Sequence, residues 1–184
     1  MGLTPPGPIT TARLVVRLVA PDDIAGLMAV NGDDAVTKHL PYTSWQSLTD
    51  GEAWFERMRT LAASGAALQF VIADRATGGI VGSCLLFRFE EGSARAELGY
   101  VLGRAHWGRG LMHEALTALL GHAFGAMGLR RIEAEVNPAN TASVNLLRRL
   151  GFTHEGLLRQ RWTAKGVTYD VNLYGLLREE WPTA

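Results

Sequence analysis

Hydrophobic and polar residues alternate along the chain with two different periods, and these periods predict where strands and helices lie. Residues 13–19 are a run of mostly branched apolar side chains, which favours a β-strand. Residues 21–30 open with Pro-Asp-Asp and predict a helix, because acidic side chains stabilise a helix N-terminus. Residues 37–47 have no period and are interpreted as a loop. Thr49 and Glu52 have the spacing of a capping box and predict the start of a second helix.

The middle of the chain has the pattern of a β-meander followed by a long helix. Strands are predicted at 68–73, 80–89 and 94–102, since polar and glycine-containing turns separate these segments. From Leu111 onward, apolar residues recur at helical spacing until Gly128, which is predicted to end the helix.

The last third of the chain has a strand–helix–strand order. Residues 132–136 alternate between apolar and acidic side chains and predict a strand. Asn140 or Thr141 is expected to cap a short helix that ends at Gly151. Two further strands are predicted at about 153–163 and 167–177. The complete order, β-α-α-β-β-β-α-β-α-β-β, predicts an α/β (α+β) fold with a mixed sheet of seven strands and helices on both faces.

Length and composition indicate one globular domain over residues 1–184. The chain has 184 residues, of which 47% are hydrophobic, and this is enough to form a core. Residues 1–10 contain three of the seven prolines and are expected to be a flexible lead-in. No repeat or interdomain linker is evident in the rest of the sequence.

Charge and cysteine content exclude several classes of function. Lys+Arg and Asp+Glu both number 18, so the net charge is zero and a broad nucleic-acid-binding surface is not expected. The single cysteine, Cys84, cannot form an internal disulfide and is expected to be a buried core residue, which fits a reducing cytoplasm. The first residues lack the pattern of a signal peptide, and no apolar run is long enough to span a membrane. We therefore expect a cytoplasmic protein.

The five histidines do not have the spacing of a metal site. They are His39, His106, His113, His122 and His154. None of them stands three or four residues from another histidine or from the cysteine, so no metal is expected.

Residues 107–112, Trp-Gly-Arg-Gly-Leu-Met, lie between a predicted strand and a predicted helix. Glycines there allow a tight turn, and the free N–H groups of the following helix would point at a ligand from its positive end. The segment therefore predicts a phosphate or pyrophosphate site, with an ordinary strand–helix loop as the alternative. Neither a P-loop nor a dinucleotide-binding motif fits, because the lysine–hydroxyl ending and the third glycine are both absent.

Further motifs stand around this loop in a fixed order. They are Ala-Glu-Leu-Gly-Tyr at 96–100, Trp-Gly-Arg-Gly at 107–110, Glu-Ala at 114–115, Asn-Pro-Ala-Asn-Thr-Ala-Ser at 137–143, Leu-Gly-Phe at 150–152, Glu-Gly at 155–156 and Tyr-Asp-Val-Asn-Leu-Tyr at 169–174. In this order they resemble the GCN5-related N-acetyltransferase (GNAT) superfamily, and within it the branch of bacterial ribosomal-protein N-terminal (serine/alanine) acetyltransferases. The resemblance covers about 9–181 and implies the GNAT fold, with a mixed, mostly antiparallel sheet of seven strands.

The resemblance implies acetyl-CoA as co-substrate and a set of residues that bind it. The residues implied to hold its pantetheine arm and pyrophosphate are Tyr100, Val101, Leu102, Trp107, Gly108, Arg109, Gly110, Leu111, Met112, Asn140 and Ser143. Arg149 is a candidate for the adenosine 3′-phosphate and Arg104 for an added ionic contact, with a solvated surface position as the alternative for both. Met112 stands where the superfamily often has glycine or alanine, so its side chain is expected to point away from the pyrophosphate.

Two residues are candidates for proton transfer during the acetylation of an amine. Glu97 is the candidate base, because a carboxylate on a strand among apolar residues has a raised pKa. The alternative is an ion pair with Arg95 or with an arginine on an adjacent strand. By the resemblance, Ser143 lies near the sulfur and is the candidate acid. Helix capping is the alternative for Ser143 and also for Asn140.

The acceptor side of the reaction carries no motif that transfers from the family. Trp45 and Trp162 are candidates for lining the acceptor groove, and the alternative is packing in a core or a partner surface. The branch implies a protein N-terminal α-amino group as acceptor, for instance that of a ribosomal protein. A polyamine or antibiotic amine, a longer acyl donor and a non-catalytic acetyl-CoA-binding module are the alternatives. We expect a monomer or homodimer, with neither nucleic acid nor a membrane as a direct partner.

Overall fold

A computed structural model of the protein describes residues 6–182, which form one mixed sheet with helices on both faces. The strands are β1 (Ile9–Thr10), β2 (Leu14–Leu18), β3 (Ala67–Asp74), β4 (Ile80–Glu90), β5 (Arg95–Leu102), β6 (Arg131–Val136), β7 (Thr153–Ala164) and β8 (Val167–Leu177). The helices are α1 (Ile24–Asn31), α2 (Asp34–Thr37), α3 (Leu48–Ala63), α4 (Leu111–Phe124) and α5 (Thr141–Arg149).

The sheet has the strand order β1-β2-β3-β4-β5-β6-β8-β7, and neighbouring strands are antiparallel except for β5 and β6. The predicted mixed, mostly antiparallel sheet is thus confirmed. The strand number is wrong, since the described residues form eight strands and not seven: Ile9 and Thr10 pair with Val16 and Val15 of β2. The predicted lead-in 1–10 therefore ends inside the sheet, and its first five residues lie outside the described part of the chain.

The start of α3 differs from the predicted start of the second helix. The Asp50 carboxylate accepts the backbone N–H groups of Gln46 (2.7 Å) and Ser47 (3.1 Å), which stabilises the N-terminus of α3. The capping pair is therefore Ser47 with Asp50, and the predicted pair of Thr49 with Glu52 was wrong. Both pairs have the same spacing, so the sequence alone did not discriminate between them.

The main core lies between α4 and α5 and the face of the sheet that these helices cover. On α4, Leu116, Leu119 and Ala123 are fully buried against apolar residues of the central strands. Because side chains alternate along a strand, the acidic residues of β5 and β6 lie on the opposite face from this core. That alternation leaves Glu97 on the face of the sheet that α1 and α3 cover.

Leu119→Ala is expected to lower the free energy of unfolding by about 2–5 kcal/mol, because truncation of a fully buried leucine leaves a cavity. Urea denaturation measures the change. The control is Leu48→Ala, at an exposed position of α3, for which we expect a change of less than about 0.5 kcal/mol. Equal losses for the two variants would contradict the assignment of the buried face of α4.

A smaller core on the opposite face joins α1 and α3 to the sheet. Leu27, Trp45 and Val71 are buried there, and Trp54 packs against them. Among the described residues, no helix is both long and apolar enough to cross a membrane.

Candidate active site

β5 and β6 separate after a short paired stretch and leave a gap in the middle of the sheet. They pair at three positions only, which end with Glu97 opposite Glu133. Beyond these positions β5 continues to Leu102 and β6 to Val136 without further pairing to each other. The edge of β5 that faces β6 therefore offers backbone hydrogen-bonding groups to an extended ligand, as an open sheet edge does.

A cavity of about 370 Å³ lies at this gap, between the sheet, the segment that follows α1 and the β7–β8 hairpin. The predicted site residues that line it are Glu97, Tyr100, Val101, Asn140, Ser143 and Trp162. The structure thus brings together the residues predicted for proton transfer and part of those predicted to bind the pantetheine arm.

The glycine-containing loop 107–110 lies between the end of β5 and the start of α4. Gly108 and Gly110 have φ values of +71° and +73°, a region that residues with a Cβ rarely adopt. At the start of α4, the Gly110 carbonyl accepts the N–H of Glu114. The N–H groups before Glu114 therefore have no acceptor within the helix and are free to bind an anion. The Nε1 of Trp107 donates to the Leu102 carbonyl (2.7 Å) and ties this loop to the end of β5.

Met112 does not obstruct this loop. Its side chain is 6% exposed and belongs to the main core beneath α4, so it points away from the loop, as expected from the sequence. The guanidinium of Arg13 contacts both the Arg109 carbonyl (3.0 Å) and the Glu114 carboxylate (2.6 Å). These contacts hold the start of β2 against the loop and the first turn of α4.

Ser143, Tyr100 and Asn140 form a hydrogen-bonded group on the α5 side of the gap. The Oδ1 of Asn140 accepts the backbone N–H of Ser143 (3.2 Å), so Asn140 caps α5 as predicted. The Oγ of Ser143 remains available and lies 2.5 Å from the Tyr100 hydroxyl oxygen. Burial raises the pKa of Tyr100 to about 12, against the opposing effect of the Ser143 hydrogen bond, so the phenol keeps its proton at neutral pH.

Glu97 lies on the other side of the gap, on the face that α1 and α3 cover. It is 7% exposed, and its Oε2 accepts a hydrogen bond from Nη1 of Arg88 on β4 (2.7 Å). Burial raises the pKa of Glu97 above its ordinary value, although the Arg88 guanidinium opposes this shift. The ion pair with an adjacent strand therefore exists, whereas Arg95 pairs with Glu133 instead (2.8 Å).

The two predicted acceptor-lining tryptophans have different environments. Trp162 lines the cavity, and its Nε1 donates to Glu135 Oε2 (2.6 Å) on β6. Trp45 does not line the cavity: it is 7% exposed and packs in the smaller core, so this prediction was wrong. Tyr42 and Trp54 line the cavity from the α1–α3 side instead.

The remaining predicted residues lie on the surface or in the core. Arg104 and Arg149 are exposed, which is compatible with either of their interpretations. Cys84 is buried, as predicted, and burial raises the pKa of its thiol. Between residues 6 and 182, no group of three or more His, Cys, Asp or Glu side chains is placed to hold a metal ion.

Two functional candidates were missed from the sequence. The Tyr100 hydroxyl contacts Ser143, which stands 43 residues further along the chain. Only the backbone of Tyr100 was predicted to take part. Arg88 reaches Glu97 because β4 has an irregular register between Phe87 and Glu90. Neither contact has a local sequence signal.

The family model that describes the acetyltransferase (GNAT) domain matches residues 13–153. The chain belongs to the GNAT acetyltransferase family. This GNAT acetyltransferase is 36% identical over 171 residues to the uncharacterized N-acetyltransferase p20 of Bacillus licheniformis, with 93% of this chain and 96% of the relative covered.

A second relative and a solved structure extend the comparison. The [ribosomal protein uS5]-alanine N-acetyltransferase of Escherichia coli K12 is 31% identical over 182 residues, which cover 94% of this chain and 92% of the relative. The structure of Mycobacterium smegmatis RimJ in complex with CoA-disulfide superimposes with a TM-score of 0.85 at 30% identity, with 93% and 85% of the two chains covered.

Proposed function

We propose that this enzyme transfers the acetyl group of acetyl-CoA to a protein N-terminal α-amino group by direct attack in a ternary complex. The observation that supports this most is the placement of two proton-transfer groups on opposite sides of one gap. Glu97 lies on the α1–α3 side, and the Ser143–Tyr100 pair lies on the α5 side. An amine that approaches from one side and a thiolate that leaves on the other would each meet a suitable group.

The chemistry requires one base and one acid. Attack of the amine forms the N–C bond and breaks the C–S bond, so one proton leaves the nitrogen and one must reach the departing sulfur. In this proposal Glu97 accepts the first proton, directly or through water, and the Ser143 hydroxyl supplies the second. The Tyr100 hydroxyl can then return a proton to Ser143 through their hydrogen bond, because its raised pKa keeps it protonated. Solvent then restores the proton of Tyr100 and takes the proton held by Glu97.

The donor would bind along the gap and end at the loop 107–110. The free edge of β5 at Tyr100, Val101 and Leu102 would hydrogen-bond the pantetheine arm as an added strand does. The free N–H groups of the loop and of Leu111 and Met112 would hold the pyrophosphate, with the Arg109 side chain as an added charge. The Asn140 side chain and the exposed Arg149 remain candidates for the pantetheine arm and the 3′-phosphate.

Gly110→Ala is expected to weaken CoA binding by about five- to tenfold, since a left-handed backbone costs an L residue about 1–2 kcal/mol and the loop must relax. A Cβ added at Gly110 would lie 3.8 Å from the Arg13 side chain, an ordinary van der Waals contact, so strain and not collision is the cause. The matched control is Gly128→Ala, with a φ of +69° and open surroundings beyond α4. Calorimetric titration with CoA should give an unchanged Kd for Gly128→Ala, and equal weakening in both variants would count against the loop as the pyrophosphate site.

An α-amino acceptor fits a base of modest strength. The intrinsic pKa of an α-amino group is about 8, against about 10.4 for the lysine side chain, so a carboxylate suffices to remove its proton near neutral pH. The similarity to the enzyme that acetylates an alanine of ribosomal protein uS5 supports a protein N-terminus as acceptor. It favours in particular the N-terminus of a cytoplasmic protein such as a ribosomal protein.

The proposal is tested by measuring thiol release from acetyl-CoA with N-terminal peptides, polyamines and aminoglycosides as acceptors. The expected result is acceleration by the peptides, with the acetyl group found by mass spectrometry on the α-nitrogen. Acceleration by the small amines alone would identify a small-molecule acetyltransferase. CoA binding without acceleration by any acceptor would identify a non-catalytic module, and faster reaction with succinyl-CoA than with acetyl-CoA would identify a different acyl donor.

A further inference from the structure

Arg88 has an unusual backbone conformation in the middle of a strand. Its φ is +51°, in the left-handed region, and the pairing of β4 with β5 shifts register between Phe87 and Glu90. Such a conformation is unfavourable for a residue with a Cβ, and it persists only where the surrounding structure holds it. The irregularity is therefore a bulge that redirects the Arg88 side chain.

The bulge places Arg88 on the face of the sheet where regular alternation would not place it. Ser83, Leu85 and Phe87 line the cavity, so an undisturbed strand would point residue 88 toward the main core. Instead, the guanidinium lies over the rings of Phe87 (5.4 Å) and Trp162 (5.5 Å). Two aromatic rings thus make cation–π contacts with a charged group beside the cavity.

From this position Arg88 contacts the candidate base. Its Nη1 lies 2.7 Å from Glu97 Oε2 and 3.8 Å from Glu135 Oε1. Arg88 is absent from the residues that line the cavity, whereas both carboxylates line it. The guanidinium therefore contacts both carboxylates from outside the cavity lining, and its side chain is 44% exposed.

The other charged groups around Glu97 have further ion-pair partners of their own. Glu133 pairs with Arg95 and Arg131 (2.8 Å each), and Glu135 binds Arg161 (2.8 Å). Glu133 and Glu135 both oppose ionisation of Glu97, as burial does, while Arg88 favours it. Arg161 acts on Glu97 at longer range, since its hydrogen bonds go to Glu135.

We propose that Arg88 is the positioning residue of the base: the bulge and the two aromatic rings hold its guanidinium so that Glu97 keeps its charge and its orientation toward the acceptor. This inference rests on the proposed transfer reaction. It adds that the pH range of the reaction is determined by a residue outside the cavity, through one ion pair.

The variant that tests this is Arg88→Gly, because glycine adopts the same backbone conformation without strain. Loss of the cation disfavours the charged form of Glu97 and raises its pKa, so the acid limb of the kcat–pH profile should move upward by about one pH unit. At pH values below the wild-type limb we expect kcat to be about tenfold lower than that of the wild type, with recovery at higher pH. A purely structural role would lower kcat at every pH and leave the limb in place.

Three further variants make the result specific. Gln160→Gly is the matched control, because Gln160 is exposed, has a φ of +50° and lies in the register shift of β7 without an ion pair to Glu97. The acid limb of the kcat–pH profile of Gln160→Gly should stay at the wild-type pH. If Arg88→Gly does not fold, Arg88→Asn takes its place, since asparagine also tolerates this conformation. Arg88→Lys keeps the charge but not the planar guanidinium, so it should retain the wild-type limb with a lower kcat.

An unchanged limb in Arg88→Gly or Arg88→Asn, or an equal shift in Gln160→Gly, would overturn the inference. The same acceptor peptide is used throughout, so that titration of its amino group affects all variants equally. Failure of the proposed function is distinguishable, because the wild-type enzyme would then show no peptide-dependent thiol release at any pH.

Discussion

Glu97→Gln is expected to lower kcat by about 100- to 1,000-fold while the Kd for CoA changes by less than about twofold. The amide keeps the size of the side chain but cannot accept the proton of the amine. Because burial raises the pKa of Glu97, the wild-type kcat should fall as the pH drops through that raised value. This acid limb should be missing from the residual activity of Glu97→Gln.

Steady-state kinetics over a range of pH, together with CoA titration, measure both parts of this prediction. The control is Glu133→Gln, which changes a carboxylate directly opposite Glu97 on β6 that is paired with Arg95 and Arg131. We expect the control to keep an acid limb, at a slightly lower pH, because loss of the Glu133 charge favours ionisation of Glu97. If Glu97→Gln retained the wild-type profile, Glu97 would be an ion-pair partner of Arg88 and not the base.

Ser143→Ala is expected to lower kcat by about 100-fold, again with little change in the Kd for CoA, because proton donation to the departing sulfur lowers the barrier to C–S cleavage. The backbone N–H of Ser143, which Asn140 caps, is kept in the variant, so α5 should remain intact. Thr141→Ala, an exposed change in the same first turn, is the control and should retain full activity.

Tyr100→Phe then separates two routes for the proton. If Tyr100 returns the proton to Ser143 across their 2.5 Å contact, this variant should also be slow. If solvent returns it, Tyr100→Phe should be close to the wild type while Ser143→Ala remains impaired. Ser143→Ala with more than half of the wild-type kcat would remove Ser143 from the role of the acid.

The parts of the site that were predictable from the sequence depend on residues close together in the chain. The glycines of the loop 107–110 and the cap at Asn140 follow from local conformation. The orientation of Met112 away from this loop was expected from the resemblance and fits its burial in the main core. The family motifs added the order of these parts, which the fold confirms.

The parts that were not predictable depend on strand register and on packing between distant elements. The contact of Arg88 with Glu97 requires a bulge that reverses the expected alternation of β4. Trp45 stands in a segment without a period, and only the packing of α1 against the sheet shows that it is a core residue. The additional strand, β1, has two residues, too few for a periodic signal.

A crystal structure of the enzyme with CoA tests the central claim most directly. We predict that the diphosphate oxygens accept hydrogen bonds from backbone N–H groups at 108–112, and that the pantetheine arm runs along β5 from Leu102 toward Leu98. The sulfur should then lie within about 4 Å of the Ser143 Oγ, on the α5 side of the gap, with Glu97 facing it from the other side. A diphosphate bound elsewhere, or a sulfur on the Glu97 side of the sheet, would contradict this account.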